Sequence, residues 1–261
     1  MPFPFRVSSC ACLWVVSVLF LLPLAGNALA GDGSDREARV AVAANFVPAL
    51  RTLVKTFETR YDGRIVIVVG STGKLYAQIY HGAPFDALFS ADEHRPALLE
   101  KEGRSRPGSR FTYAIGRLAL WSPDAGRVDA TGQVLSEGRF RHLAIANPKL
   151  APYGRAAQQV LEARGLWQTL RPRLVRGENV SQALQFVRSG NAELGFVALS
   201  QIRRPGQAVA GSHWVVPENL YAPVVQQAVL LTDNPLAVDF LHFVQSTEGR
   251  DIIRSFGYQL P

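Results

Sequence analysis

Four short turns hold the residues best suited to chemistry: Asn45, Ser71-Thr72, Tyr153-Gly154 and Asn179-Val180. Each offers neutral hydrogen-bond donors: an amide, two hydroxyls, a phenol and the main-chain N–H groups around them. The second turn is the most explicit. A β-branched run from Ile65 to Val69 stops at Gly70, Ser71-Thr72-Gly73 follows, and helical spacing begins. The first N–H groups of a helix have no internal partner and carry partial positive charge. Glycine lets that backbone approach a ligand, and the hydroxyls of Ser71 and Thr72 add donors, so the stretch reads as an oxyanion cradle. Lys74 beside it reads as a bystander. The competing reading is that each polar residue caps its own helix.

Other chemistry has little support. Gly73-Lys74 is followed by Leu75 and has no glycine five positions before Gly73, so it is not a nucleotide P-loop. There is no His-Glu-x-x-His and no Gly-x-Ser-x-Gly elbow. The histidines at 81, 94, 142, 213 and 242 lack ligand spacing. Asp86 and Asp92 could be offered as paired acids, but their strand-to-loop setting suits turns and caps. Cys10 and Cys12 are the only cysteines and both fall in the N-terminal apolar segment, which removes thiol chemistry from the rest of the chain.

That segment has the pattern of a secretory leader. Arg6 precedes an apolar run from Ala11 to Leu22, and Asn27-Ala28-Leu29-Ala30 supplies a small-residue cleavage site, so residues 1–30 are expected to be a signal peptide cut after Ala30. The formal net charge is +7, with the arginines scattered and no aromatic-basic interleaving. Nucleic acid is therefore not an expected partner, whereas a basic surface is compatible with steering an anion.

Strands alternate with helices through the remainder. Apolar strands are expected at 39–44, 65–69, 113–121, 142–146, 174–175, 194–199, 214–216 and 224–231, and residues 83–92 are expected to hold a turn and a buried strand. Helices are expected after Asn45, after Thr72, around 96–102, after Tyr153, after Val180, and twice after Asn234-Pro235. Residues 124–141 are polar and have no clear period. The class is α/β with largely parallel sheets, and no low-complexity linker separates its parts. In such sheets, helices begin at the carboxyl ends of strands, where ligands bind. Two such junctions in each half of the chain would face each other across a cleft. Many fixed dipoles and no required cation suit a compact, fully ionised oxyanion. Glu178 and Asp86 lie near two of the turns, so a phosphate-accepting carboxylate is not excluded by the spacing alone.

These residues resemble the periplasmic molybdate-binding proteins, the substrate receptors of ABC importers. Ala43-Ala44-Asn45-Phe46 is similar to the family's first ligand loop. Gly70 to Ile79, with Gly82-Ala83-Pro84-Phe85-Asp86 and Ser90-Ala91-Asp92, is similar to the second. Asn147-Pro148-Lys149 with Ala151-Pro152-Tyr153-Gly154 resembles the third, Gly177 to Ala183 the fourth, and Gly195 to Ser200 the strand after it. Some members have a hydroxyl where this chain has Ala44, serine where it has Thr72, or tyrosine where it has Ala198.

The resemblance implies a two-lobed type II binding-protein fold. Residues 31–115 plus 222–261 would form lobe I and residues 116–221 lobe II, with the ion dehydrated between them. It implies ligation of the molybdate oxygens by Asn45, Thr72, Tyr153 and the backbone of Val180, with Ser71 adjacent. It further implies a periplasmic monomer that binds molybdate and tungstate, serves a membrane permease, needs no cofactor and catalyses nothing. The alternatives left open are a same-fold receptor for sulfate or phosphate and an exported hydrolase of anionic esters.

Overall fold

A computed structural model describes residues 37–261; the expected leader over residues 1–30 and its cleavage after Ala30 lie outside them. The first sheet runs in the order β2 (Arg64–Gly70), β1 (Glu37–Ala43), β3 (Ala87–Phe89), β10 (Val224–Leu230), β4 (Phe111–Gly116). The second runs β7 (Leu174–Gly177), β6 (Leu143–Ala146), β8 (Leu194–Ala198), β5 (Leu118–Ser122), β9 (Ser212–Val215). Around the first sheet lie α1 (Val47–Phe57), α2 (Thr72–Tyr80), α3 (His94–Lys101), α9 (Pro235–Gln245) and α10 (Thr247–Ser255). The segment joining β5 to β9 contributes α4 (Val134–Glu137), α5 (Pro152–Ala163), α6 (Trp167–Leu170), α7 (Val180–Arg188) and α8 (Leu199–Ile202).

Each sheet is mixed rather than largely parallel. β1 pairs in parallel with β2 and β3, and β6 with β7 and β8. The antiparallel half of each sheet comes from β10 and β4, or from β5 and β9. These are the strands that carry the chain from one sheet to the other: β4 ends at Gly116 and β5 begins at Leu118. The parallel strands are followed by helices that begin the candidate site, as a strand-to-helix crossover requires.

Apolar runs without clean alternation follow from burial on both faces. In β1, Val40 and Val42 face a core with Phe46, Leu50, Leu53, Phe57 and Phe240, while Ala41 between them faces Leu75, Ile79, Leu88 and Val229. In the second sheet, Leu118 and Leu120 pack with Leu143, Ile145, Val160 and Phe196, while Ala119 and Trp121 face Val187 and Val197. The period of two along each strand divides these residues between the layers.

Two local expectations change. Asn45 does not cap α1: the N-cap is Phe46, with no side-chain cap bond, and Pro48 falls in the first turn. Ser71 is the N-cap of α2 by position, yet its side chain also makes no capping bond. Asn179 does cap α7, accepting from the Gln182 N–H at 3.0 Å. Capping therefore accounts for one of the polar turns and leaves the side chains of Asn45 and Ser71 for other work.

Candidate functional site

The four helix starts are tied together by their own backbone. Next to β1, the Ala44 N–H donates to the Gly70 carbonyl at 3.0 Å, joining the turns before α1 and α2. On the other sheet, the Asn147 N–H donates to Gly177 at 2.7 Å, joining the loops before α5 and α7. Three contacts then bridge the two pairs. The Gly73 N–H donates to the Leu150 carbonyl at 3.0 Å, the Ser181 hydroxyl donates to the Ala44 carbonyl at 3.1 Å, and Lys74 meets Glu178 at 2.6 Å. A Cβ at Gly73 would lie 3.0 Å from that Leu150 carbonyl, so the close approach favours glycine there.

Inside this ring are unpaired donors. Among the described residues, no acceptor takes the backbone N–H of Asn45, Thr72, Val180 or Ser181. The Ser71 hydroxyl is buried and has no partner. An unpaired buried hydroxyl costs about 1–3 kcal/mol, so it points to an occupant. Thr72 accepts the Ala91 N–H at 2.9 Å, which uses its oxygen and leaves its O–H to donate elsewhere. Asn45, Ser71, Thr72, Tyr153 and Val180 are each no more than 3% exposed, so anything held among them leaves bulk water.

The Asn45 side chain, which does not cap α1, is engaged behind the turn. Its amide donates to Gln226 Oε1 at 2.7 Å and to the Tyr258 hydroxyl at 3.0 Å, so both hydrogens are engaged. The Asn45 backbone N–H is the donor left without an acceptor among the described residues. The turn is held from behind by Phe46, whose ring lies 4.4 Å from that of Tyr113 and 5.6 Å from those of Phe89 and Tyr258. The Tyr153 phenol accepts from Gln226 Nε2 at 3.3 Å. Burial pushes its pKa well up, with the neighbouring phenols of Tyr258 and Tyr221 adding to the shift, and the hydrogen bond from Gln226 offsets part of it. Tyr153 is therefore a protonated donor throughout the neutral range.

The charged groups nearby are paired with each other. Glu178 is held by Lys74 and Asp92 by Arg95. Asp92 also accepts the Arg95 N–H at 3.0 Å in the turn that leads into α3, and Asp86 accepts from the Arg39 N–H at 2.7 Å and from Thr232 at 2.6 Å. Both aspartates are turn residues, as their setting suggests. Four of the histidines are exposed and His213 is half-buried. Among the described residues, no group of three His, Cys, Asp or Glu could hold a metal ion, and no helix is long and apolar enough to cross a membrane.

Several residues of this arrangement carry no motif. Gln226, Tyr258 and Gln201 supply bonds behind and across the cleft, together with Ser181 of the fourth loop; Gln201 donates to the Ser181 hydroxyl at 2.8 Å. The adjacent amides Gln226-Gln227 in an otherwise apolar strand were the signal available for the first of these.

Two sheets joined by crossing strands, with helix N-termini converging between them on an uncharged, donor-rich site, define a solute-receptor class of protein. Residues 38–259 match the family of bacterial extracellular solute-binding proteins. The Molybdate-binding protein ModA of Azotobacter vinelandii is 45% identical over 243 residues, covering 92% of this chain and 96% of that protein. Its counterpart in Rhodobacter capsulatus is 44% identical over 234 residues, covering 88% and 91%. The solved structure of the Azotobacter vinelandii periplasmic molybdate-binding protein matches with a TM-score of 0.84 at 44% identity, covering 86% of this chain and 99% of that one. The sulfate-binding protein SubI of Mycobacterium tuberculosis matches with a TM-score of 0.67 at 14% identity, covering 86% of each chain, a likeness of fold alone. The chain belongs to the bacterial extracellular solute-binding proteins, in the family of the molybdate-binding proteins.

Proposed function

We propose that this chain is a periplasmic receptor that captures molybdate, and tungstate with it, and delivers the ion to an ABC importer permease. The observation that carries the reading is the unpartnered Ser71 hydroxyl, set among free N–H groups at converging helix starts with no unpaired carboxylate beside them. Fixed dipoles of this kind solvate a dianion without a counter-charge. A fully ionised tetrahedral oxyanion needs donors and no acceptor, which disfavours hydrogen phosphate. Sulfate is smaller, and a site sized for molybdate contacts it poorly on at least one side. The names of the relatives in Azotobacter vinelandii and Rhodobacter capsulatus support molybdate.

In this reading the ion's oxygens accept from the Thr72, Ser71 and Tyr153 hydroxyls and from the backbone of Asn45 and Val180. The metal itself touches no protein atom. Residues 31–115 plus 222–261 and residues 116–221 act as two lobes that close on the ion, and the closed form is what the permease reads. The receptor works as a monomer, needs no cofactor, does not bind nucleic acid and performs no chemistry on its ligand. The test is calorimetric titration of Asn45→Ala, Thr72→Val and Tyr153→Phe with molybdate. Thr72→Val and Tyr153→Phe are each expected to weaken binding by about 1–3 kcal/mol, the worth of a hydrogen bond to a buried charged acceptor, and Asn45→Ala by a similar amount because it keeps the backbone N–H but releases the turn from Gln226 and Tyr258. Unchanged binding in all three variants would mean that the turns serve only the fold.

A further inference from the structure

Gln226 is fully buried on β10, one of the strands that carry the chain between the sheets, at a break in the β10–β4 register. Its Oε1 accepts from Asn45 Nδ2 at 2.7 Å and from the Tyr113 hydroxyl at 3.0 Å, while its Nε2 donates to the Tyr153 hydroxyl at 3.3 Å. One side chain thus bonds a residue ahead of α1 on one side of the cleft and a residue of α5 on the other. Space has been made for it: a Cβ at Gly116, the last residue of β4, would overlap both the Tyr153 hydroxyl and the Gln226 amide.

We propose that Gln226 is a positioning residue for anion binding, whose amide occupies the acceptor side of Tyr153 so that the phenol presents only its O–H to the cleft. The inference rests on the reading of the cleft as an oxyanion site. A hydroxyl has one hydrogen and two lone pairs. With its oxygen already receiving the Gln226 N–H, Tyr153 is directed to donate. The same amide, by accepting from Asn45, fixes the turn whose backbone N–H faces the anion. A glutamate at this position would invert the arrangement when ionised, because a carboxylate can only accept. It would draw the Tyr153 O–H away from the cleft and add a negative charge behind the anion. Protonated, it could again donate to Tyr153 and accept from Asn45.

The ionisable groups facing position 226 in the native protein are the phenols of Tyr113, Tyr153 and, through Asn45, Tyr258, with Asp92 acting on Tyr113 at longer range. The phenols stay protonated through neutral pH, because burial raises each of them. The pH response of a glutamate variant is therefore its own.

The experiment measures molybdate and tungstate affinity of native protein, Gln226→Glu and Gln226→Met from about pH 5.5 to pH 8.5, with melting curves for each. Burial raises a carboxyl above its ordinary value, which brings its titration into this window. The expected result is native affinity that is flat, Gln226→Met weakened roughly tenfold at every pH, and Gln226→Glu near native at the acid end but roughly a hundredfold weaker at the alkaline end. Uniform weakening of Gln226→Glu with no pH slope, or near-native binding by both variants, would overturn the proposal. Should either variant fail to fold, the side-chain amide resonance of Gln226 in native protein takes its place. It is expected to be protected from exchange and to shift on adding tungstate, and an unprotected, unmoved signal would overturn the proposal. Native protein that prefers another anion would refute the ligand reading, while the same variant ratios measured with that anion would still decide the role of Gln226.

Discussion

Lys74, in the first turn of α2, and Glu178, just ahead of α7, meet at 2.6 Å across the cleft. Both side chains are about half in solvent, at 46% and 59% exposure, so the pair forms the rim of the site and not its floor. Exposed ion pairs contribute at most about 1 kcal/mol and are screened by salt. Lys74→Ala is expected to weaken molybdate binding by less than about fivefold, with the difference gone at about 1 M salt. Glu178→Gln leaves the lysine charge unopposed and is expected to speed association at low salt. Stopped-flow rates at two ionic strengths check both. A large, salt-independent loss in Lys74→Ala would put the ammonium in the site itself.

Ser71→Ala separates a ligand from a cap. Among the described residues the hydroxyl has no partner, so removing it is expected to stabilise the anion-free protein by up to about 1 kcal/mol while weakening anion binding by a similar amount or more. The two effects have opposite signs. Thermal unfolding with and without molybdate measures both, and a lower melting temperature in the free protein would mean that the hydroxyl supports the fold.

Gly116→Ala tests the tight packing between the crossing strands. The added methyl would displace Tyr153, Gln226 or both. Overpacking of this kind costs about 1–3 kcal/mol, and here the cost should fall on binding as well as on stability. Denaturant unfolding combined with calorimetry checks this. A variant that binds normally would show that the Tyr153–Gln226 contact is dispensable.

The alkaline limit follows from the buried phenols. Burial raises Tyr113 and Tyr153 well above the ordinary phenol value and raises Tyr258 too. The folded state then holds protons that the unfolded chain releases. Their contribution to stability is complete below the unfolded pKa of about 10 and is lost as pH rises from there through the folded values. Denaturant midpoints are expected to hold steady from about pH 7 to 9 and to fall steeply above about pH 10. Binding should not vary through phenol ionisation below that point. A midpoint unchanged at about pH 11 would contradict the placement of three phenols in this interior.

Much of this was legible in the chain, for identifiable reasons. The β-branched run Ile65–Val69 and the turn after it declare a strand feeding a helix, and burial on both faces makes the other strands equally visible as apolar runs. Thr72, Tyr153 and Val180 were reachable because each sits at a helix start marked by glycine or proline. Gln226 was not, since its partners Asn45 and Tyr153 lie 181 and 73 positions away and only the crossing of the chain unites them. Asn45 reads as a cap for the same reason, because nothing local shows that its amide is taken by Gln226 and Tyr258. The mixed sheets escaped a local reading too, since strand direction is set by the crossings and not by the residues of β5 or β10. The region 124–141 gave no period because it holds one short helix, α4, among turns.

The central claim, that uncharged donors at four helix starts select a large, fully ionised oxyanion, is tested most directly by calorimetric competition among molybdate, tungstate, sulfate and phosphate on the native protein. Molybdate and tungstate are expected to bind at least about a hundredfold more tightly than sulfate or phosphate, a difference of about 2.7 kcal/mol. Sulfate binding as tightly as molybdate would contradict it.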